Sequence, residues 1–80
     1  MTINILAFGI AKEILGNNEN SFEVQEGINV KMLRSFLIER FPKMKSLASF
    51  LIAVDGEYAA EDVVINPEHE VAVIPPVSGG

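Results

Sequence analysis

A chain of 80 residues with no cysteine has few groups able to carry a reactive atom. It closes on Pro75-Pro76-Val77-Ser78-Gly79-Gly80, and the last two residues are the first candidates. Lacking Cβ atoms, Gly79 and Gly80 make a thin, bendable ribbon that can enter a channel too narrow for any side chain. Pro75 and Pro76 cannot donate to a sheet ladder, so they are expected to end the preceding strand and hold the chain extended. From Pro75 onward the segment can reach at most about 20 Å from the body. Such an arm suits delivery of its own terminal carboxylate into another protein's active site. The alternative is a frayed tail, the ordinary fate of a terminus.

Other side chains offer less. Ser78 lies beside the glycines, but no base is placed in the sequence to activate its hydroxyl, so a nucleophilic role is rejected. His69 is the single histidine, set between Glu68 and Glu70, and without a second ligand it reads as a surface residue; no metal site is expected. Glu61 and Asp62 are a carboxylate pair of the kind used for acid–base work, yet nothing suggests a cleft around them, and a solvated turn is the better reading. Glu19, Glu23 and Glu26 read the same way, and Lys43 and Lys45 read as exposed charges.

Composition narrows the function classes. The chain has the length of one small domain, and its 49% apolar content, with five Phe, suffices for a folded core and argues against disorder. A formal charge of −5 repels phosphate backbones and anionic lipid, so nucleic-acid and membrane partners are not expected and a basic protein surface is. The absence of cysteine removes disulfides, thiolate metal sites and thiol nucleophiles, and fits a reducing cytoplasm. The strongest apolar run, Phe50 to Val54, is far too short to span a bilayer, and the first residues lack the pattern of a signal peptide.

The elements that must position the arm follow from periodicity. Residues 2–8 start as an alternating strand with Ile3, Ile5 and Ala7 on one face and Leu6 and Phe8 on the other. Ile10, Ala11, Ile14 and Leu15 have helical spacing, and Gly16 suits the residue after a helix end. Asn17 to Asn20 is a turn cluster, and Ser21 to Gln25 alternates as a second strand that buries Phe22 and Val24. Asn29 can cap a second, main helix whose apolar stripe is Val30, Leu33, Phe36, Leu37, Ile38 and Phe41, with Pro42 as its stop. Met44 to Phe50 has no decisive pattern, a helical turn being one reading. Leu51 to Val54 is a strand entering the tight turn Asp55-Gly56, with Glu57 to Ala59 returning from it. Val63 to Ile65 reads as a short extended piece, followed by a turn at Asn66-Pro67-Glu68. Val71 to Ile74 is apolar on both faces, the pattern of a central strand, and it feeds directly into the arm.

This order predicts an α+β fold, a ubiquitin-like β-grasp in which a mixed sheet wraps one main helix, with an extended C-terminal Gly-Gly arm. The expected division is a domain at 1–74 and a flexible arm at 75–80. Phe8, Tyr58 and Ile74 are candidates for a partner interface: Phe8 is out of phase with the core residues of its strand, Tyr58 follows the hairpin turn, and Ile74 sits at the root of the arm. Ordinary core packing is the competing assignment for each.

With these residues in hand, the chain resembles the small, sulfur-carrying subunits of molybdopterin synthase, a family of ubiquitin-like sulfur carriers. The likeness runs nearly end to end, through Lys12-Glu13-Ile14-Leu15-Gly16, through Leu51-Ile52-Ala53-Val54 and through residues 70–80. Its most specific part is the Pro-Pro-Val-Ser-Gly-Gly ending after a hydrophobic strand; related carriers for thiamin and transfer RNA share Gly-Gly but usually not the Pro-Pro step. Asp55 stands where many relatives carry Asn, and both suit a turn.

The resemblance implies that Gly80 carries the reactive carboxyl, that Gly79 gives it passage, and that Pro75, Pro76, Val77 and Ser78 are contacts of the arm. A carboxylate with a pKa near roughly 3.5 is ionised at neutral pH and is a poor electrophile. By family analogy, a ubiquitin-activating-type enzyme adenylates it with ATP, and a persulfide donor replaces AMP with sulfur to leave a thiocarboxylate. The loaded arm then enters the large synthase subunit and gives its sulfur to cyclic pyranopterin monophosphate, two carriers being used for each dithiolene. The resemblance implies no cofactor bound to this chain, ATP being used by the activating partner, and a heterotetramer of two small and two large subunits. Two alternatives stay open: a carrier serving thiamin, transfer-RNA thiolation or protein conjugation, and a β-grasp binding module whose Gly-Gly is incidental.

Overall fold

The computed structural model describes residues 1–47 and 50–75. Strand β1 (Thr2–Ala7) buries Ile3, Ile5 and Ala7 and turns Thr2 and Asn4 outward, the period-two pattern of a half-covered strand. It stops one residue short of the expected end. Phe8 keeps extended backbone (φ −125°, ψ 153°) but serves as the residue ahead of helix α1 (Gly9–Leu15). That helix ends where Gly16 takes up the left-handed conformation (φ 98°) and donates its N–H to the Lys12 carbonyl.

Strand β2 (Glu19–Glu23) begins two residues before the sequence pattern suggests. Glu19 and Asn20 read as turn residues, yet they pair with Leu6 and Ile5. The Asn20 amide still makes its turn bond, donating to the Asn17 carbonyl at 2.8 Å, while its backbone joins the ladder. Local turn preference and sheet pairing are both satisfied there.

Helix α2 (Val30–Arg40) starts at Asn29, whose side-chain oxygen accepts from the Met32 N–H at 2.8 Å, filling one of the donors that a helix start leaves open. Val30, Leu33 and Leu37 are fully buried, and Phe36, Ile38 and Phe41 pack against the core from its margin. Each fully buried Leu or Val contributes about 1.5–3 kcal/mol through removal of apolar surface from water. Pro42 ends α2 and opens a 3₁₀ helix (Pro42–Ser46) that drops Met44 into the core, so the first part of the undecided stretch from Met44 to Phe50 is a helical turn; residues 48 and 49 lie outside the described residues.

Strands β3 (Leu51–Val54) and β4 (Glu57–Tyr58) form a hairpin whose central residues, Asp55 (φ 52°) and Gly56 (φ 83°), are both left-handed; such turns match the right-handed twist of the strands. The expected extended piece at Val63–Ile65 is no more than an isolated bridge between Val64 and Asn29. Strand β5 (Val71–Ile74) closes the sheet, in the order β2-β1-β5-β3-β4. β1 and β5 run parallel and the other pairs antiparallel, so the sheet is mixed. Its inner face and α2 enclose one core, the β-grasp arrangement anticipated from the sequence. β5 lies at its centre.

Candidate functional site

The site begins where β5 ends. Pro75 is half-buried, and its Cγ lies 3.3 Å from where a Cβ on Gly9 would stand. Gly9 has φ +55°, a conformation side chains resist, so it lets the loop after β1 pass close beneath the root of the arm. Pro76, Val77, Ser78, Gly79 and Gly80 lie outside the described residues.

Register shows which side chains surround that root. Val71 and Val73 of β5 face the core, so Ala72 and Ile74 face outward. Across the outer face, Tyr58, Ala53, Ala72 and Leu6 stand opposite one another in a row over four strands. Leu51 is opposite Ile74 in the next row toward the arm, and Phe8 continues the outward phase of Leu6 past the end of β1. Tyr58 is 67% exposed, Phe8 50% and Leu51 41%, whereas Ala53 is buried at 5% without belonging to the core cluster. The two alanines thus form a shallow apolar floor rimmed by larger side chains, the shape that receives an anchor residue of a partner.

All three interface candidates from the sequence fall on or beside this face. Ile74 is half-buried and outside the core cluster, so core packing is not its role. Leu51, Leu6 and Ala72 join them, and sequence reasoning missed them. Leu51 sits in a short apolar run whose phase is visible only through its pairing with Ile74. The β2 half of the same face is polar instead: Thr2 donates to a Glu23 carboxylate oxygen, and Ser21 donates to Asn4 Oδ1 at 2.7 Å. The outer face is therefore divided, apolar toward Pro75 and polar at β2.

The remaining candidates are placed elsewhere. His69 is more tied down than a free surface residue. Its Nδ1 accepts from the Asn66 N–H at 3.1 Å, and its Nε2 lies 3.9 Å from Asp55 Oδ2. Asp55 in turn accepts from the Glu70 N–H at 2.8 Å, so the 66–70 turn is fastened to the β3–β4 hairpin. Glu61 and Asp62 occupy an exposed turn, where Glu61 faces Arg34 at 3.9 Å and its carbonyl accepts from the Lys31 N–H. Among the described residues no group of three or more His, Asp or Glu side chains is placed to hold a metal, and no helix is long and apolar enough to cross a membrane.

Comparison with known proteins bears on this geometry. A sequence profile of the ThiS family matches residues 5–80. The molybdopterin synthase sulfur carrier subunit of Caenorhabditis briggsae is 32% identical over 83 residues, covering 100% of this chain and 99% of that protein. Among solved structures, a chain described as subunit 1 of a molybdopterin converting factor from Pyrococcus furiosus superposes with a TM-score of 0.83 at 27% identity, covering 96% of this chain and 99% of that one. A chain in a complex of subunits 1 and 2 of the molybdopterin-converting factor from Helicobacter pylori shares the fold, with a TM-score of 0.67 at 21% identity and full coverage of both.

Proposed function

The chain belongs to the ThiS family, standing among its molybdopterin synthase sulfur carrier subunits, and from that premise we propose that Gly80 is the group on which it carries sulfur. The observation that supports this most is the placement of β5. The central strand of the sheet is followed, through Pro75, by the terminal segment, in a chain with no cysteine to carry sulfur instead.

The steps follow from the chemistry of a carboxylate. A ubiquitin-activating-type enzyme joins the Gly80 carboxylate to ATP, forming an acyl adenylate and releasing pyrophosphate. The terminal sulfur of a persulfide attacks the acyl carbon and AMP leaves. A thiol then cleaves the sulfur–sulfur bond, and the thiocarboxylate remains. Docked on a large synthase subunit, the arm presents that sulfur to cyclic pyranopterin monophosphate, and water later restores the carboxylate. The carrier contributes position rather than acid–base groups: a narrow end group on a fixed base, brought close to its reaction partner. The apolar floor of Ala53 and Ala72, with Tyr58, Leu51 and Ile74 around it, is the surface on which the large subunit docks in this reading. Support for such a partner comes from the family likeness and from the two-subunit complex of the Helicobacter pylori relative.

Intact-mass measurement tests the reading. After incubation with ATP, the activating enzyme and a persulfide donor, the chain is expected to show one oxygen replaced by sulfur. Deletion of Gly80 is expected to remove the change while leaving the circular dichroism spectrum as it was. Normal loading of a chain carrying an extra residue after Gly80 would overturn the scheme. Dithiolene formation in a mixture of the loaded chain, the large subunit and the pterin separates this pathway from thiamin or transfer-RNA thiolation.

A further inference from the structure

β2 is an outer strand of the sheet, separated from β5 by β1. The hydrogen bonds between Val24 and Met1 and between Ala7 and Asn18 fix the phase of its pairing with β1. The even-numbered residues Asn18, Asn20, Phe22 and Val24 bond inward. By the alternation of an antiparallel ladder, Glu19, Ser21 and Glu23 turn their backbone N–H and C=O groups to the free edge.

Beside that edge, on the core side of the sheet, runs an open groove of about 540 Å³ between the end of β2 and the flank of α2. Val24, Ile28, Met32 and Phe36 supply its apolar floor, and Met32 is 38% exposed. Lys31 and Glu39 stand along its α2 side. A strand added to β2 would lie about 4.8 Å further out, and its alternate side chains would fall into this groove.

We propose that the β2 edge and this groove form a second docking site, independent of the arm, for an extended segment of a partner that alternates apolar and basic residues. Apolar side chains of the segment enter the groove over Met32 and Phe36. The intervening side chains emerge on the opposite face, beside Glu19 and Glu23, where Lys or Arg makes a cross-strand ion pair and Asp or Glu is repelled. Backbone bonds to Glu19, Ser21 and Glu23 supply the common affinity of strand addition, and the charges supply the choice. The same carboxylates disfavour a second copy of this chain. An antiparallel pairing of two β2 strands centred on Ser21 sets Glu19 of each directly against Glu23 of the other.

Amide exchange followed by NMR on the intact chain tests the site, with the blocked peptide Lys-Val-Lys-Val-Lys-Val-Lys as probe and its Glu-Val counterpart as control. The lysine peptide is expected to slow exchange at Glu19, Ser21 and Glu23 and to shift Met32 and Phe36, with the Glu peptide at least tenfold weaker. The double variant Glu19→Lys with Glu23→Lys is expected to reverse that preference, by roughly tenfold in each direction. The site is overturned if the three edge amides exchange as in the free protein, if both peptides bind equally, or if the shifts fall on Tyr58 and Ile74 instead. Neither arm of the test involves sulfur loading, so its failure leaves the role of Gly80 untouched.

Discussion

Gly9 does more for the arm than its size suggests. Its positive φ and the 3.3 Å approach of Pro75 Cγ mean that Ala at this position meets two obstacles, a left-handed backbone and a proline ring. The conformational part alone costs about 1–2 kcal/mol. Gly9→Ala is therefore expected to lower the melting temperature by about 4–8 °C per kcal/mol for a domain of this size. It is also expected to slow sulfur transfer more than loading, because it moves the base from which the terminus projects. Thermal unfolding and single-turnover transfer, measured on the same preparation, check both parts; an unchanged melting point would show that the close approach carries no strain. Nothing in the sequence marks this residue. Gly9 follows a strand and precedes a helix, and its contact with Pro75 spans most of the chain length. The terminal glycines, by contrast, stand out as candidates at once, because a side-chain-free end needs no fold to be noticed.

Among the elements, β3 turns two adjacent residues to opposite faces, so effects on stability and on the proposed docking can be measured apart. Ile52 points into the core at 1% exposure, and Leu51 points to the outer face opposite Ile74. Ile52→Ala is expected to cost about 2–5 kcal/mol of stability by the loss of buried methyl groups and the cavity left behind. Leu51→Ala is expected to cost about 1 kcal/mol or less in stability. It should weaken the complex with a large synthase subunit by roughly tenfold, as truncation of an interface anchor does. Chemical denaturation and titration calorimetry read the two effects separately, and equal binding by wild type and Leu51→Ala would remove the apolar floor as the docking surface. The same alternation explains what the sequence conveyed. Alternation placed β1, helical spacing placed α2, a run apolar on both faces placed β5, and the Asp55-Gly56 turn signal placed the hairpin. Weak patterns did not suffice at the start of β2, where pairing with β1 draws in Glu19 and Asn20, or at Pro42–Ser46, where a proline both ends one helix and begins another turn. The outer face was half legible, since Phe8, Tyr58 and Ile74 are conspicuous singly whereas their grouping with Leu51 and Leu6 depends on register.

For the whole molecule, a formal charge of −5 on a small body predicts steering by a basic partner. The association rate with such a subunit is expected to fall by roughly tenfold as salt rises from about 0.01 M, where the Debye length is about 30 Å, to about 1 M, where it is about 3 Å. If the apolar floor is the docking surface proposed above, dissociation should change little. Stopped-flow mixing at both salt concentrations measures the difference, and a salt-independent association rate would rule out steering. The arrangement of the two chain ends has a chemical consequence as well. Because β1 and β5 are parallel, Met1 begins at the end of the sheet opposite Pro75, and its part-buried ammonium group donates to the Val24 carbonyl at 2.7 Å. The described outer face carries no lysine either. In the proposed chemistry, an acyl adenylate at Gly80 turned back over that face would meet no lysine, whereas the exposed Lys12 of α1, on the same helix as Gly9, is an amine near the root of the arm that could compete with sulfur for the activated carbonyl.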